Sequence, residues 1–328
     1  MSNIQNPTFQ DVLRARHVVY RYLRATPLYP YSGLSERVGT EVWVKHENHQ
    51  PVGAFKVRGG LNLAAHLSEQ EKQCGLATAS TGNHGQSIAY AGRTFGVPVV
   101  IAMPEGANPE KAAAIRSLGA EVAFHGQDFD EAREWIEARS KEEGYRYVGP
   151  AEPLLIAGVA TYSLEILEEL PDVDVIIAPV GGGSGAAGAC IVAKTMNPLI
   201  QVIGVQAENA PAAYLSWKKG HAVSASMETF AEGLATRTAF ETTQRILRRH
   251  LDDFILVSEE EIRWAMVAYL RYTHNLVEGA GAAPLAAAMK IRERLADRKV
   301  VLVMSGGNLS LGRLHELMDT YEGEEYYG

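Results

Sequence analysis

Lys56 sits in GAFKVRGG, residues 53–60, between Phe55 and Val57 in a glycine-rich turn. An amine lodged between an aromatic ring and a β-branched side chain is partly desolvated, which disfavours its ammonium form and makes it a nucleophile toward a carbonyl carbon. A lysine in such a turn can equally be a solvated surface group, so its meaning depends on its neighbours. Residues 80–85, STGNHG, end a predicted strand and open a predicted helix. There the N–H groups meet the positive end of the helix dipole, a seat for a carboxylate, although an ordinary N-capped turn reads the same way. Residues 181–185, GGGSG, follow the strand-like VIIAPV and precede a small-residue helix. Consecutive glycines let several N–H groups converge on one anion, a phosphate above all, while close packing of helix on sheet is the competing explanation. The run lacks the Gly-x-Gly-x-x-Gly spacing, and the acidic residue about 20 positions on, of a dinucleotide site. Residues 305–308, SGGN, follow VVLVM and put the Ser305 hydroxyl in what is otherwise a plain turn.

These four runs need a scaffold that brings strand ends together, and the rest of the chain supplies one. From about residue 76, short apolar runs alternate with glycine-bearing turns and amphipathic helices, the grammar of β-α-β units. Strands are predicted at 41–46, 76–79, 97–103, 121–124, 175–179, 201–206 and 300–304, and helices at 83–95, 109–117, 129–143, 158–170 and 259–274. Most of the strands are brief and apolar throughout, as in parallel sheets covered on both faces. Gly149-Pro150 is the expected crossing between lobes, and the acidic, aromatic tail 322–327 is expected to fray.

At 328 residues the chain suits one or two domains, and its net charge of −8 has the wrong sign for non-specific nucleic-acid binding. Cys74 and Cys190 are too sparse for a zinc cluster or disulfide framework, which fits a reducing compartment and, by default, the cytoplasm. No targeting segment is expected at the start, and no run of about 18 uninterrupted apolar residues implies a membrane span.

The order of the motifs resembles that of the fold-type II pyridoxal-phosphate (PLP) enzymes, in particular the serine/threonine dehydratases, whose lysine lies in a Gly-Ser-Phe-Lys-x-Arg-Gly segment. Ala54 stands where serine is usual. The resemblance runs from Thr26-Pro27-Leu28 to the SGGN turn and implies a two-lobed α/β fold, tryptophan synthase β-like, with parallel sheets flanked by helices. Residues 1–69 and 151–328 would form the large cofactor-binding domain and 70–150 a small mobile one. It further implies that Lys56 carries PLP as a Schiff base, with Phe55 beside it. Asn83 would hydrogen-bond the cofactor's 3′-oxygen, and Gly181, Gly182, Gly183, Ser184 and Gly185 would hold its phosphate. Ser305 would face the pyridine nitrogen. Ser80, Thr81, Gly82, Asn83 and His84 would hold the substrate carboxylate. Glu278, opening EGAGAAPLAA, resembles the glutamate of a Glu-Pro-Ala-Gly-Ala segment and would line the site. Ala231 to Ala235, AEGLA, resembles an Ala-Asp-Gly-x-Ala loop beside the cofactor and would bring Gly233 to it, with a helix-capping turn as the other reading.

The activity implied is dehydration of L-threonine, L-serine or a related β-hydroxy amino acid to a 2-oxo acid and ammonia, by a homodimer. Serine racemase and β-replacement enzymes are the nearest alternatives, and Thr81 replaces the serine that would serve a racemase. A non-catalytic amino-acid-binding module on the same architecture is the alternative from another class. No metal is expected: several relatives hold a divalent cation through a glutamate and an aspartate, where this chain has Gln206 and Ala212. In VGPAEPLLIAGVAT, residues 148–161, polar residues near the substrate side chain are expected to have become Gly149, Pro150, Ala151 and Val159, making room for a bulkier, more apolar substrate.

Overall fold

In a computed structural model that describes residues 5–321, ten strands form two sheets. In chain order they are β1 (Leu28–Pro30), β2 (Glu41–His46), β3 (Leu76–Ala79), β4 (Val99–Met103), β5 (Glu121–Phe124), β6 (Arg146–Tyr147), β7 (Val175–Pro179), β8 (Gln201–Ala207), β9 (Asp253–Val257) and β10 (Lys299–Met304). The larger sheet has the order β1-β2-β10-β7-β8-β9 and the smaller β5-β4-β3-β6. Every pairing is parallel except that of β1 with β2. The expected tail at 322–327 lies outside the described residues.

Among the described residues fifteen α-helices connect and cover the sheets. They are α1 (Phe9–Val19), α2 (Ser32–Val38), α3 (Lys56–Ala65), α4 (Glu69–Cys74), α5 (Asn83–Phe95), α6 (Pro109–Ser117), α7 (Phe129–Glu143) and α8 (Pro153–Val159). The remainder are α9 (Thr161–Glu169), α10 (Ser184–Met196), α11 (Ala212–Lys219), α12 (Glu241–His250), α13 (Glu259–Thr273), α14 (Gly279–Lys290) and α15 (Leu311–Tyr321). The helix expected at 158–170 is instead two. The first starts at Pro153, where a missing N–H costs nothing, and the pair meets at Ala160. Among the described residues no helix is long and apolar enough to cross a membrane.

The strand sequences explain the layering. Val175 and Ile177 of β7 join one core cluster while Ile176 and Ala178 join another, and Val300 and Leu302 of β10 alternate in the same way with Val301 and Val303. A strand that feeds two cores must be apolar at every position, which is why these segments show no polar alternation.

One polar cluster lies inside this apolar frame. Arg58 of α3, fully buried, donates to Glu47 and Glu165, and Lys45 of β2 reaches Glu165 Oε2 at 2.6 Å. Thr26 adds its hydroxyl to Glu47 and its N–H to Glu165. Two cations and two carboxylates balance, and each charge keeps partners, the condition under which ions tolerate burial. The cluster ties α3 to β2 and α9 through Arg58, two residues from Lys56.

Candidate active site

Chain order β7, β8, β9 runs outward across the sheet, whereas β10 lies on the other side of β7. The loops leaving β7 and β10 therefore diverge and open a crevice at their carboxyl ends, the usual ligand position in an open α/β sheet. GGGSG leaves β7 there, and SGGN leaves β10. The lysine turn closes onto the second: Ala54 bridges Gly306, Phe55 N–H donates to the Ser305 carbonyl at 3.0 Å, and Gly307 N–H donates to Gly53 O at 2.9 Å. Lys56 and Ser305, far apart in sequence, are thereby held by backbone hydrogen bonds in one corner.

Lys56 is the first residue of α3 and is part-buried. Its Nζ donates to Ser184 Oγ at 3.3 Å and lies 5.5 Å from the centre of the Phe55 ring. Removal from water lowers its pKa to about 8, with no carboxylate beside it to hold the charge. About a tenth of Nζ is thus the free amine at pH 7, far more than for an ordinary lysine. Phe55 stands edge-on to Tyr162, whose hydroxyl donates to the Gly185 carbonyl at 3.0 Å, so the lysine and the glycine run brace each other.

The glycine run admits no side chain at its tightest point. A Cβ on Gly181 would fall 2.0 Å from the Gly233 carbonyl oxygen, and Gly183 adopts φ +84°. This contact brings the AEGLA loop and Gly233 to the cradle, with the Gly233 carbonyl rather than its N–H facing it. Thr243 Oγ1 donates to Gly182 O at 2.8 Å and fixes the loop from the far side. Ser184 begins α10, so the run sits at the N-terminus of a 13-residue helix.

Across the crevice, Ser80 Oγ accepts the N–H groups of Gly82 and Gly85, at 3.2 and 2.9 Å. Thr81, Gly82 and Asn83 lead into α5, whose first N–H groups have no partner within the helix. Asn83 Nδ2 donates to Glu278 Oε1 at 2.7 Å, joining this turn to the large sheet's side of the site. Burial raises Glu278 to about 7, against the pull of the Asn83 hydrogen bond and the Lys111 cation. The His84 ring is turned away: Nε2 lies 3.1 Å from Thr78 Oγ1 and 3.2 Å from the Val148 carbonyl. Burial lowers its pKa to about 3, so the ring is a neutral imidazole bonded within the smaller sheet, and what His84 can offer the crevice is its backbone N–H.

Residues 19–306 match the family model described as pyridoxal-phosphate dependent enzyme. The chain belongs to this family. The PLP enzyme is 38% identical to L-threonine ammonia-lyase of Thermotoga maritima, over 95% of this chain and 78% of that one. Among solved structures it resembles the processed form of threonine deaminase isoform 2 from Solanum lycopersicum, with 32% identity and a TM-score of 0.91 over 97% of this chain and 96% of that one. It also resembles serine racemase from Dictyostelium discoideum, with 34% identity and a TM-score of 0.87 over 93% and 99%.

The residues present fit PLP. The enzyme has an amine lowered to about 8, a cradle in which a Cβ would collide, a helix N-terminus behind it, and the buried Ser305 hydroxyl on the adjoining turn. Lys56 would hold the cofactor covalently, the run 181–185 its phosphate, Asn83 its ring oxygen and Ser305 its ring nitrogen.

Two sequence expectations about neighbouring pockets come out differently. Val159 is 1% exposed and packs toward Gly59 between α3 and α8, so it cannot line a substrate pocket. Pro150 lies beside Gly182, at the cradle, and Ala151 is buried; Gly149, with nothing within 4 Å of an added Cβ, remains open. Gln206 is fully buried, its Oε1 accepting from Ala213 and Tyr214 N–H at 3.1 Å while Nε2 donates to Leu234 O and Thr236 Oγ1 at 3.4 Å. Among the described residues no group of three or more His, Cys, Asp or Glu could hold a metal ion.

Sequence reasoning missed Tyr162 of α9, Thr243 of α12 and Phe240 at the start of α12, which brace or flank the glycine run and carry no motif of their own. It also passed over Asn308 as the end of a turn.

Proposed function

We propose that this PLP enzyme is an ammonia-lyase of β-hydroxy amino acids, converting L-threonine and L-serine to 2-oxo acids and ammonia. The observation that carries the reading is Lys56, a part-buried amine lowered to about 8, set between the glycine cradle and the Ser305 turn. The likeness to a threonine ammonia-lyase and a threonine deaminase supports the substrate class.

When bound, PLP supplies an electron sink that acidifies the amino acid's Cα–H. Lys56 Nζ, whose ammonium form is disfavoured by burial, takes the Cα proton as the free amine. The N–H groups opening α5 and the Thr81 hydroxyl hold the carboxylate. Ser305 offers a neutral hydroxyl and not a carboxylate, so it does not force a ring nitrogen to stay protonated, which favours loss of the β-hydroxyl over transamination. The Cα hydrogen and the β-hydroxyl leave together as water, and a water molecule then replaces the nitrogen, giving the 2-oxo acid and ammonia. The opening at Gly149 supports acceptance of bulk beyond threonine at that one position.

The same proposal has residues 70–150 moving as a unit against 1–69 and 151–328. The ion pair of Lys111 with Glu232, and that of Arg237 with Asp130 at 3.1 Å, span that boundary. It includes a homodimer, tested by solution mass, and a reducing cytoplasm, to which the free thiols of Cys74 and Cys190 are suited.

Borohydride reduction of the purified protein should leave PLP on Lys56, and threonine, serine and phenylserine should each release ammonia, with kcat/KM ranking them. Lys56→Ala should fold yet lose roughly 10²- to 10⁴-fold in turnover. Bound PLP with no ammonia from any β-hydroxy amino acid would overturn the reading. Racemisation of serine is the second reading, supported by the likeness to the Dictyostelium racemase although Thr81 stands where a racemase would use serine, and chiral analysis of unreacted serine tests it.

A further inference from the structure

An asparagine amide has two ends of nearly equal size, one donor and one acceptor, and nothing within Asn83 decides which end faces the crevice. Two neighbours make the decision, the Glu278 carboxyl on the amide's nitrogen side and Asn308 on its oxygen side. Asn308 Nδ2 donates to the Val52 carbonyl at 2.9 Å, and a carbonyl can only accept. The NH₂ of Asn308 is thereby pinned as the end facing inward, and its other hydrogen goes to Asn83 Oδ1 at 2.7 Å. With its oxygen taken, Asn83 must turn its NH₂ the other way, where it donates to Glu278 Oε1 at 2.7 Å. One N–H of Asn83 then remains for a ligand. The Asn308 side chain is itself seated against Gly53, where a Cβ would fall 2.6 Å from Oδ1. One residue thus joins the lysine turn, the STGNHG turn and the SGGN turn.

We propose that Asn308 is a positioning residue for the cofactor: acting through Asn83, it ensures that a donor and not an acceptor faces the PLP ring oxygen. The proposal rests on the PLP reading above.

The test uses apoenzyme prepared by resolving PLP from the purified holoenzyme, with PLP affinity read by titration and the visible absorbance band read on the reloaded protein. Asn308→Asp keeps the shape but presents only acceptors, so Asn83 is driven to flip its oxygen outward. PLP affinity should fall about 10-fold or more, the scale of one hydrogen bond to a charged group, and the band should shift. Asn308→Ala releases the lock without imposing the wrong orientation and should lose less, about 3-fold. The deciding comparison places Asn308→Asp in an Asn83→Ala background. There it should cost almost nothing further if Asn308 works through Asn83. An equal loss in both backgrounds, or a loss that tracks the melting temperature of the apoenzyme in the Asp and Ala variants alike, overturns the proposal and makes Asn308 a fold residue. Failure of the native apoenzyme to bind PLP removes the cofactor reading itself, a result distinct from any behaviour of the variants.

Discussion

The turn after β7 and the turn after β3 are both strand-to-helix turns that aim N–H groups at an anion, yet they are built to opposite standards of tightness. In the first, Gly181 abuts the Gly233 carbonyl, Gly183 needs a left-handed backbone, and Thr243 and Tyr162 bind the loop's carbonyls from outside. In the second, Ser80 alone ties the turn to itself, and Gly82 has nothing within 4 Å of an added Cβ. A guest that stays can be given a closed socket. A guest that enters and leaves at each turnover needs a seat with one side open, and under the proposed function the open side would take the substrate's carboxylate.

The comparison breaks most visibly at Gly181. Gly181→Ala drives a methyl group into a backbone oxygen and should lower PLP affinity about 100-fold, or roughly 2.7 kcal/mol, measured by titration of the apoenzyme. Retained affinity would mean that the cradle is not the phosphate seat. Gly82→Ala should leave PLP affinity alone and raise KM about 5-fold, since its methyl intrudes only on the space left for substrate. A change in cofactor binding from this variant would erase the distinction between the two turns.

A smaller effect sharpens the boundary where the turns meet. Glu278 has its folded pKa raised from 4.5 to about 7, so its contribution favours folding below 4.5 and is lost as pH rises through 7. Glu278→Gln should therefore raise the apoenzyme's melting temperature by about 2 °C near pH 8 and leave it unchanged near pH 4. An equal gain at both pH values would show that the carboxylate is not strained by burial. The smallest expected effect is none: chelators should leave turnover unchanged, because the Gln206 amide already links α11 to the 234–236 segment through hydrogen bonds. Strict magnesium or calcium dependence would contradict this.

The motifs were legible because each is short and chemically extreme. The glycine run, the GAFK turn and the SGGN turn announce themselves by composition, and the strands before them by unbroken apolar runs. Short edge strands escaped notice: β1 and β6 have three and two residues, too few for any periodicity. β9, DFILV, is a short apolar run of the kind that periodicity cannot assign. Val159 misled for a different reason, since the 148–161 segment in which it was read as pocket lining continues into α8, which packs this side chain toward α3. His84 lies in a motif aimed at an anion, but helix geometry points its ring back at Thr78. The contacts of Asn308 connect residues 225 and 256 positions away, and no local pattern encodes a partner at that distance.

The clasp of the lysine turn onto the SGGN turn also sets an order of assembly. Val52 and Asn308 are separated by 256 residues, so during synthesis the segment carrying Lys56 emerges long before the turn that must close over it. The smaller sheet, whose strands lie within residues 76–147, can form first, and so can most of the larger one. β10 must then insert between β2 and β7, strands that are already made, before the crevice exists at all. A chain halted before residue 299 would lack that central strand and leave Lys56 without its clasp, so the crevice is among the last features of the fold to form.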